Sequence, residues 1–423
     1  MRHSFVPSAN TAETEFPLQN LPFGVFRRTG DTQACCGVRI GDEVLDLRLA
    51  HRAGLLPVAA DAAQASTLAG ILALPLRKIS ALRGALFELL AAGQEHQANV
   101  AACFTPARSV TMSMPVMPPN FTDFLTSSFH KIRLGKPKLD PNFMSLPLAY
   151  HSRASSVRVS GDVTRPHVQQ ESAGAIRFAP TREMDYELEL GAFIGQGNES
   201  GQPIALHDAQ QHVFGYCLLN DWSVRDVQRW ESTPLGPFLA KSLATTISPW
   251  IVTEEALRPF RVPAFTRGPE ETPAPDYLAS DDNRRQGGIG IALEAWLLTR
   301  RMRDQNEAAV RITATDARHL YWTFAQIVTH HASNGCNLMS GDLLGSGTVS
   351  GPTPESRACL AELTKRGTVP LALPNGETRA WLEDGDEVVI RGRASSDGFV
   401  PIGFGECRGA IAASVPWPTQ DHS

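Results

Sequence analysis

Polar and apolar residues alternate over Asp185-Tyr186-Glu187-Leu188-Glu189-Leu190, the pattern of a β-strand. Glu187 and Glu189 then project to one face, and Leu188 and Leu190 to the other. The apolar run from Val213 to Leu219 predicts a buried strand and leaves Asp221 at its end. Near the start, strand-like runs over Gly24 to Arg28, Cys36 to Ile40 and Glu43 to Leu47 alternate with turns such as Gly41-Asp42. Helical spacing follows from Thr67 to Ala92 and breaks at Pro75. Met112 to Pro119 carries three prolines in eight residues and reads as a linker. It divides the chain into units spanning 1–116 and 118–423. The larger unit is rich in short β-runs and Gly/Pro turns. It has one clear helix, over Ala317 to Ser333, that stops at Asn334-Gly335. Gly268 to Gly288 is polar and proline-rich, which predicts an exposed loop. The chain has no internal repeat.

Composition narrows the function classes. With 423 residues the chain can build one large core and a smaller domain. Its net charge of −5 brings no basic patch or aromatic ladder, which argues against a nucleic-acid partner. Seven cysteines are an odd number, and Cys35 and Cys36 are adjacent. That is no secreted disulfide framework; reduced thiols in a cytoplasmic protein are expected. Arg2 and His3 are followed by no apolar stretch, so no signal peptide is expected. Leu82 to Ala92 is apolar but short and is interrupted by Arg83 and Glu88, so no membrane span is expected either.

Three segments carry chemistry. Glu187 and Glu189 on one strand face repel each other, and a multivalent cation would turn that repulsion into binding. Oxygen ligands alone suit Mg²⁺, Ca²⁺ or Mn²⁺. A lone Glu-x-Glu more often marks a solvated edge strand, but two other segments change that reading. Asp123 stands between Phe121 and Phe124, and a carboxylate among bulky apolar groups needs a partner. His130, suited to proton transfer near neutral pH, follows seven residues later. After the second strand come Asp221, Arg225 and Gln228; the last two share a face if that turn is helical. Each piece alone has a plainer meaning. His130 would be a surface histidine, Lys241 could snorkel, and Arg225 could pair with Asp226 or Asp221. His330-His331, near a helix C-terminus, more often cap carbonyls or favour the dipole than bind metal.

Along nearly its whole length the chain resembles the fumarylacetoacetase (fumarylacetoacetate hydrolase) family. The motifs are Phe121-Thr122-Asp123-Phe124 with Ser127-Ser128 and His130, Tyr150-His151-Ser152-Arg153, Glu187-Leu188-Glu189, and Asn220-Asp221-Trp222-Ser223 with Arg225-Asp226. Pro234-Leu235-Gly236-Pro237-Phe238 leading to Lys241, Asn334-Gly335-Cys336-Asn337, and Gly341-Asp342 with Ser346-Gly347-Thr348 extend it. The resemblance implies a mostly β protein with some α. A small SH3-like β-barrel would be followed by a large mixed β-sandwich roll. It implies hydrolysis of 4-fumarylacetoacetate to fumarate and acetoacetate, the last step of tyrosine and phenylalanine degradation, by a homodimer joined through the large domain. It assigns His130 as the base with Glu362 as its orienting partner. Asp123, Glu187, Glu189 and Asp221 become ligands of a divalent metal, Mg²⁺ or Ca²⁺, and Arg225, Gln228 and Lys241 the oxyanion hole. Lys241 and Thr245 match a second metal position, with the lysine acting through its carbonyl. Tyr150, Gln228 and Thr348 match substrate contacts.

Three departures fall on the substrate side. Leu125 and Ser232 stand where the family has tyrosines, and the loop between His130 and Tyr150 is about six residues short. That loop normally carries an arginine for the substrate carboxylate; Arg133, Lys136 and Lys138 are the possible replacements. Losing two phenolic donors costs on the order of 1 kcal/mol each where nothing replaces them. The acyl group could therefore differ from fumaryl. The alternatives are a related diketo-acid or acylpyruvate hydrolase, a keto-acid decarboxylase or isomerase, and a metal-binding scaffold without activity.

Overall fold

A computed structural model describes residues 2–56, 60–172 and 174–418. The outermost ends of both expected units, residue 1 and residues 419–423, lie outside them. The architecture is mostly β with some α. Near the start, strands Phe23–Arg28, Cys35–Ile40, Glu43–Asp46, Phe104–Pro106 and Val110–Ser113 form one antiparallel five-stranded sheet. The helical stretch breaks where the sequence predicts. Ala69–Leu72 is a short helix, and Pro75, with no N–H to offer, precedes the helix Leu76–Leu90.

Two further sheets build the large unit. In the first, Leu188–Ile194 pairs antiparallel with Val213–Asp221 on one side and with Leu343–Gly345 on the other. Phe121–Leu125 runs parallel to Leu343–Gly345, and Leu148–Ser152 lies beyond it. The second contains Val310–Asp316, Ala292–Leu298, Glu387–Ala394, Ile402–Ala412 and Val163–Thr164. Leu188, Leu190 and Leu218 from the first sheet meet Leu293, Ala295, Ile390 and Phe404 from the second in one apolar layer. The opposite face of the first sheet is covered too. Phe193, Phe214, Cys217 and Leu219 join Val38, Leu82 and Leu86 of the N-terminal unit in a second core. With both faces packed, Leu188–Ile194 is a fully buried central strand, not a solvated edge.

Three expectations are corrected. The expected strand is broken in two: Met184–Asp185 pairs with Ser223–Val224, and Leu188–Ile194 starts anew after two residues. Between the two pieces the Tyr186 amide donates to the Asp185 side chain and the Glu187 amide to the Asn220 side chain, which interrupts the ladder there. The helix expected from Ala317 starts at Phe324, because Thr323 and Gln326 form a capping box that fixes its first turn there. The stretch from Gly268 to Gly288 is not wholly an exposed loop. It buries Leu278 and contains the helix Asp281–Gln286, capped by Ser280. All seven cysteines are free. Among the described residues no helix is long and apolar enough to cross a membrane.

Candidate active site

Strand register gathers the acidic residues. Asp123 is paired with Gly345 across the parallel ladder, and Gly345 is paired in turn with Gly191, two residues beyond Glu189. Leu188 faces Asn220, which places Glu187 beside Asp221 at the end of the neighbouring strand. One oxygen from each of Asp123, Glu187, Glu189 and Asp221 lies within 4.8 Å of the others, and all four side chains are buried. Burying one uncompensated carboxylate costs several kcal/mol, so four demand cations. Burial and then Asp221 raise the Asp123 carboxyl to about 7. Burial and the neighbouring acids push Glu189 well above the carboxylate range. Burial would raise Glu187 as well, but the Lys241 and Arg225 cations outweigh it and hold it low.

Two oxygens of this cluster, Asp123 Oδ1 and Glu189 Oε1, are buried without a hydrogen-bond partner among the described residues. A Cβ on Gly345 would collide with the Asp123 carboxylate and come within 3.2 Å of Glu189 Oε2. Orphaned hard-oxygen donors around a space kept clear by glycine fit a hard divalent cation. Lys241 stands at the edge of the cluster. Its ammonium contacts Glu187 and lies 2.9 Å from Asp221 Oδ2, so it is buried and paired rather than snorkelling. The Tyr150 hydroxyl donates to Asp123 Oδ2 (2.6 Å) and lies 3.0 Å from Asp221 Oδ2. Thr245 Oγ1 donates to Asp221 Oδ1 at 2.8 Å, leaving its hydroxyl behind the cluster.

Beside the acids stands His130. The helix Ser128–Leu134 carries it, and Ser127 caps that helix by accepting from the His130 amide. His130 Nδ1 is 2.6 Å from Glu362 Oε1, which leaves Nε2 for the cavity. Glu362 also accepts from Ser350 Oγ at 2.5 Å and from Arg133 Nη1 at 2.9 Å. Burial would raise its carboxyl, but His130, Ser350 and Arg133 together hold it down at about 2.

Arg225 opens the helix Arg225–Glu231 and is buried. It pairs with Asp185 (2.9 Å) and Glu187 (2.8 Å), not with Asp226 or Asp221. Its Nη1 donates to Gln228 Oε1 at 3.0 Å, so the two share a helical face as the spacing predicts. Arg225 Nη2 is buried and has no partner among the described residues, which leaves a donor free toward the cavity. With its oxygen engaged, Gln228 has its amide nitrogen to offer. Asp185 braces this corner, accepting from Arg225 Nε and from the Leu360 and Ala361 amides at the start of the helix that carries Glu362.

Residues 121–412 match the family description "Fumarylacetoacetate (FAA) hydrolase C-terminal", and residues 19–115 match "Fumarylacetoacetase N-terminal". The chain belongs to the fumarylacetoacetase family. A fumarylacetoacetase of Oryza sativa subsp. japonica is 40% identical over 423 residues, covering 95% of this chain and 96% of the relative. The Homo sapiens fumarylacetoacetase is 39% identical over 429 residues, covering 97% and 99%. Among solved structures, a fumarylacetoacetate hydrolase from psychrophilic Exiguobacterium antarcticum has the same fold. Its TM-score is 0.50 at 17% identity, over 93% of this chain and 99% of that one.

A cavity of about 490 Å³ opens onto these groups. Asp123, Leu125, His130, Tyr150, Glu187, Arg225, Gln228, Ser232, Lys241 and Thr348 line it. Glu189, Asp221 and Glu362 stand behind the wall, bonded to the lining residues Gly347, Lys241 and His130. Where the family has tyrosines, Leu125 offers no donor, and Ser232 Oγ is already bound to the Gln228 carbonyl at 2.5 Å. Of the possible replacements for the loop arginine, Arg133 is held by Glu362 and the Gly351 carbonyl, and Lys136 lies 3.9 Å from Asp140 and does not line the cavity; nor does Lys138. Sequence pattern does not mark Asp185 or Ser350, nor Arg366 and Trp381, which also line the cavity. Asp185 belongs to the alternating run with no signal of its own, and nothing in local pattern distinguishes the other three. His330 and His331 meet Tyr277 and Thr122 and belong to no metal cluster among the described residues.

Proposed function

We propose that the chain hydrolyses the carbon–carbon bond of a β-diketo acid: 4-fumarylacetoacetate and water give fumarate and acetoacetate. The observation that carries the reading is a histidine–carboxylate pair and a four-carboxylate cluster at one cavity. Water attacks the ketone carbonyl of the acyl arm while His130 Nε2 takes its proton. Glu362 holds the other ring nitrogen protonated and steadies the imidazolium that forms. Arg225 Nη2, the Gln228 amide and Lys241 Nζ offer donors to the oxygen that gains charge. The carbon–carbon bond then breaks, and the proton passes to the departing carbon. Asp123, Glu187, Glu189 and Asp221 would hold the cation, Mg²⁺ or Ca²⁺, whose Lewis acidity favours the enolate. The Lys241 carbonyl and Thr245 are assigned to a second cation. Tyr150 and Thr348 are assigned to the substrate.

Residues 1–116 and 118–423 are taken as the two domains. A homodimer through the large one is supported by exposed Ile176, Phe178 and Trp417, with the last two rings 4.6 Å apart. Seven free thiols suit a cytoplasmic location. The test is the loss of diketone absorbance from fumarylacetoacetate with Mg²⁺ and then with EDTA. Rapid decay that the chelator stops is expected; no decay with the cation bound would overturn the reading.

A further inference from the structure

Among the described residues five Lys and Arg side chains line the cavity: Lys131, Arg225, Arg229, Lys241 and Arg366. Four already have carboxylate partners. Lys131 pairs with Asp140, Arg225 with Asp185 and Glu187, Arg229 with Glu183, and Lys241 with Glu187 and Asp221. Arg366 forms no ion pair among the described residues. Among those residues its side chain makes one hydrogen bond, from Nη2 to the carbonyl of Leu134, at the end of the helix that carries His130.

The backbone is built to present it. Lys365 (φ 50°), Arg366 (φ 60°) and Gly367 (φ 79°) are consecutive left-handed residues just after the helix Leu360–Leu363 that carries Glu362. Two side-chain-bearing residues in that region need support from their surroundings. The Arg366 amide donates to the Ala361 carbonyl at 2.8 Å, and the Gly367 amide to Thr364 Oγ1 at 2.9 Å. Trp381, also lining the cavity, packs so close to Gly367 that a Cβ there would fall 2.8 Å from its ring nitrogen. The guanidinium therefore stands at the cavity beside both elements that bear the His130–Glu362 pair.

We propose that Arg366 binds the terminal carboxylate of the substrate's acyl arm and selects substrates whose arm is anionic. The inference rests on the diketo-acid reading and deepens it. A fork of N–H donors without an anion suits a planar carboxylate. Arg133 cannot serve, because Glu362 holds it.

The test compares the wild-type protein, Arg366→Gln and Arg366→Lys on fumarylacetoacetate and on 3,5-dioxohexanoate, whose acyl arm is a neutral methyl group. Arg366→Gln should raise KM for the dianion about tenfold or more, with kcat and the neutral substrate little changed, and Arg366→Lys should recover part of the loss. Equal losses on both substrates would mean that the residue only braces Leu134, and no loss on the dianion would also overturn the inference. Fumarate binding by calorimetry gives a reading without turnover. Weaker fumarate binding by Arg366→Gln, with acetoacetate binding unchanged, supports the inference even if neither diketo acid is cleaved, an outcome that would sink only the proposed reaction. Equal fumarate binding by variant and wild type would sink the inference alone.

Discussion

His130 Nδ1 lies 2.6 Å from Glu362 Oε1 although 232 positions separate them. The carboxylate fixes which ring nitrogen keeps its proton, and so which one faces the cavity. In Glu362→Gln an amide N–H turned toward Nδ1 would favour the opposite tautomer and remove the base. The variant should lose kcat by a factor on the order of 10² to 10⁴, with KM and cation affinity little changed. Steady-state kinetics with calorimetric titration of Mg²⁺ checks this. A kcat close to wild type would dismiss Glu362 as the orienting group.

The same carboxylate links stability to pH. Its carboxyl is held at about 2 against an ordinary 4.5, so the folded state binds its proton less readily than the unfolded state. A depressed carboxyl contributes stability above pH 4.5 and loses it as pH falls toward 2, on the order of 3 kcal/mol in all. Asp123, Glu189 and Asp221 are shifted upward and contribute with the opposite sign, so the wild-type curve alone would mix the two effects. The difference between wild type and Glu362→Gln isolates the first. Urea midpoints should diverge as pH rises from about 2 to about 5, the window in which Glu362 gives up its proton, and converge below it. A gap that ignores pH would contradict the assignment.

How much of this was legible depends on how local each signal is. Leu188 and Leu190 facing away from Glu189, the buried run from Val213, and the break at Pro75 are period and propensity effects, and the fold keeps them. The side chains of Asp185 and Asn220 capture the backbone just before Leu188, a competition that alternation does not encode. Leu278 is the one branched aliphatic residue in a mostly polar stretch, too little to signal that it is buried. The Glu362 pairing came from the family resemblance, because spacing carries no distance across 232 positions. Arg366 was invisible for a different reason. What sets it apart is that the other lining cations have partners, and partners exist only in three dimensions.

Glu189 is where the needs of the folded apoprotein and of the bound cation conflict most sharply. Burial, then Asp123, Glu187 and Asp221, push its carboxyl well above the ordinary range. A raised carboxyl destabilises the fold at any pH above 4.5, because the unfolded chain ionises freely while the folded one resists. In Glu189→Gln the amide oxygen can still accept from the Gly347 amide, as Oε2 does now at 3.0 Å. Its new N–H groups could satisfy the orphaned Asp123 Oδ1. Without divalent ions the variant should therefore be more stable than wild type by about 1–3 kcal/mol, a gain from removing an unpaired buried charge. With millimolar Mg²⁺ the order should reverse. The wild type gains roughly 2.7 kcal/mol when the cation stands at about a hundred times its Kd, whereas the variant has lost a ligand. Thermal melts of both proteins in EDTA and in Mg²⁺ give the four values needed. If the variant melts below wild type in EDTA, the four-carboxylate cluster is not strained in the apoprotein, and its design as a cation cradle loses its main physical support.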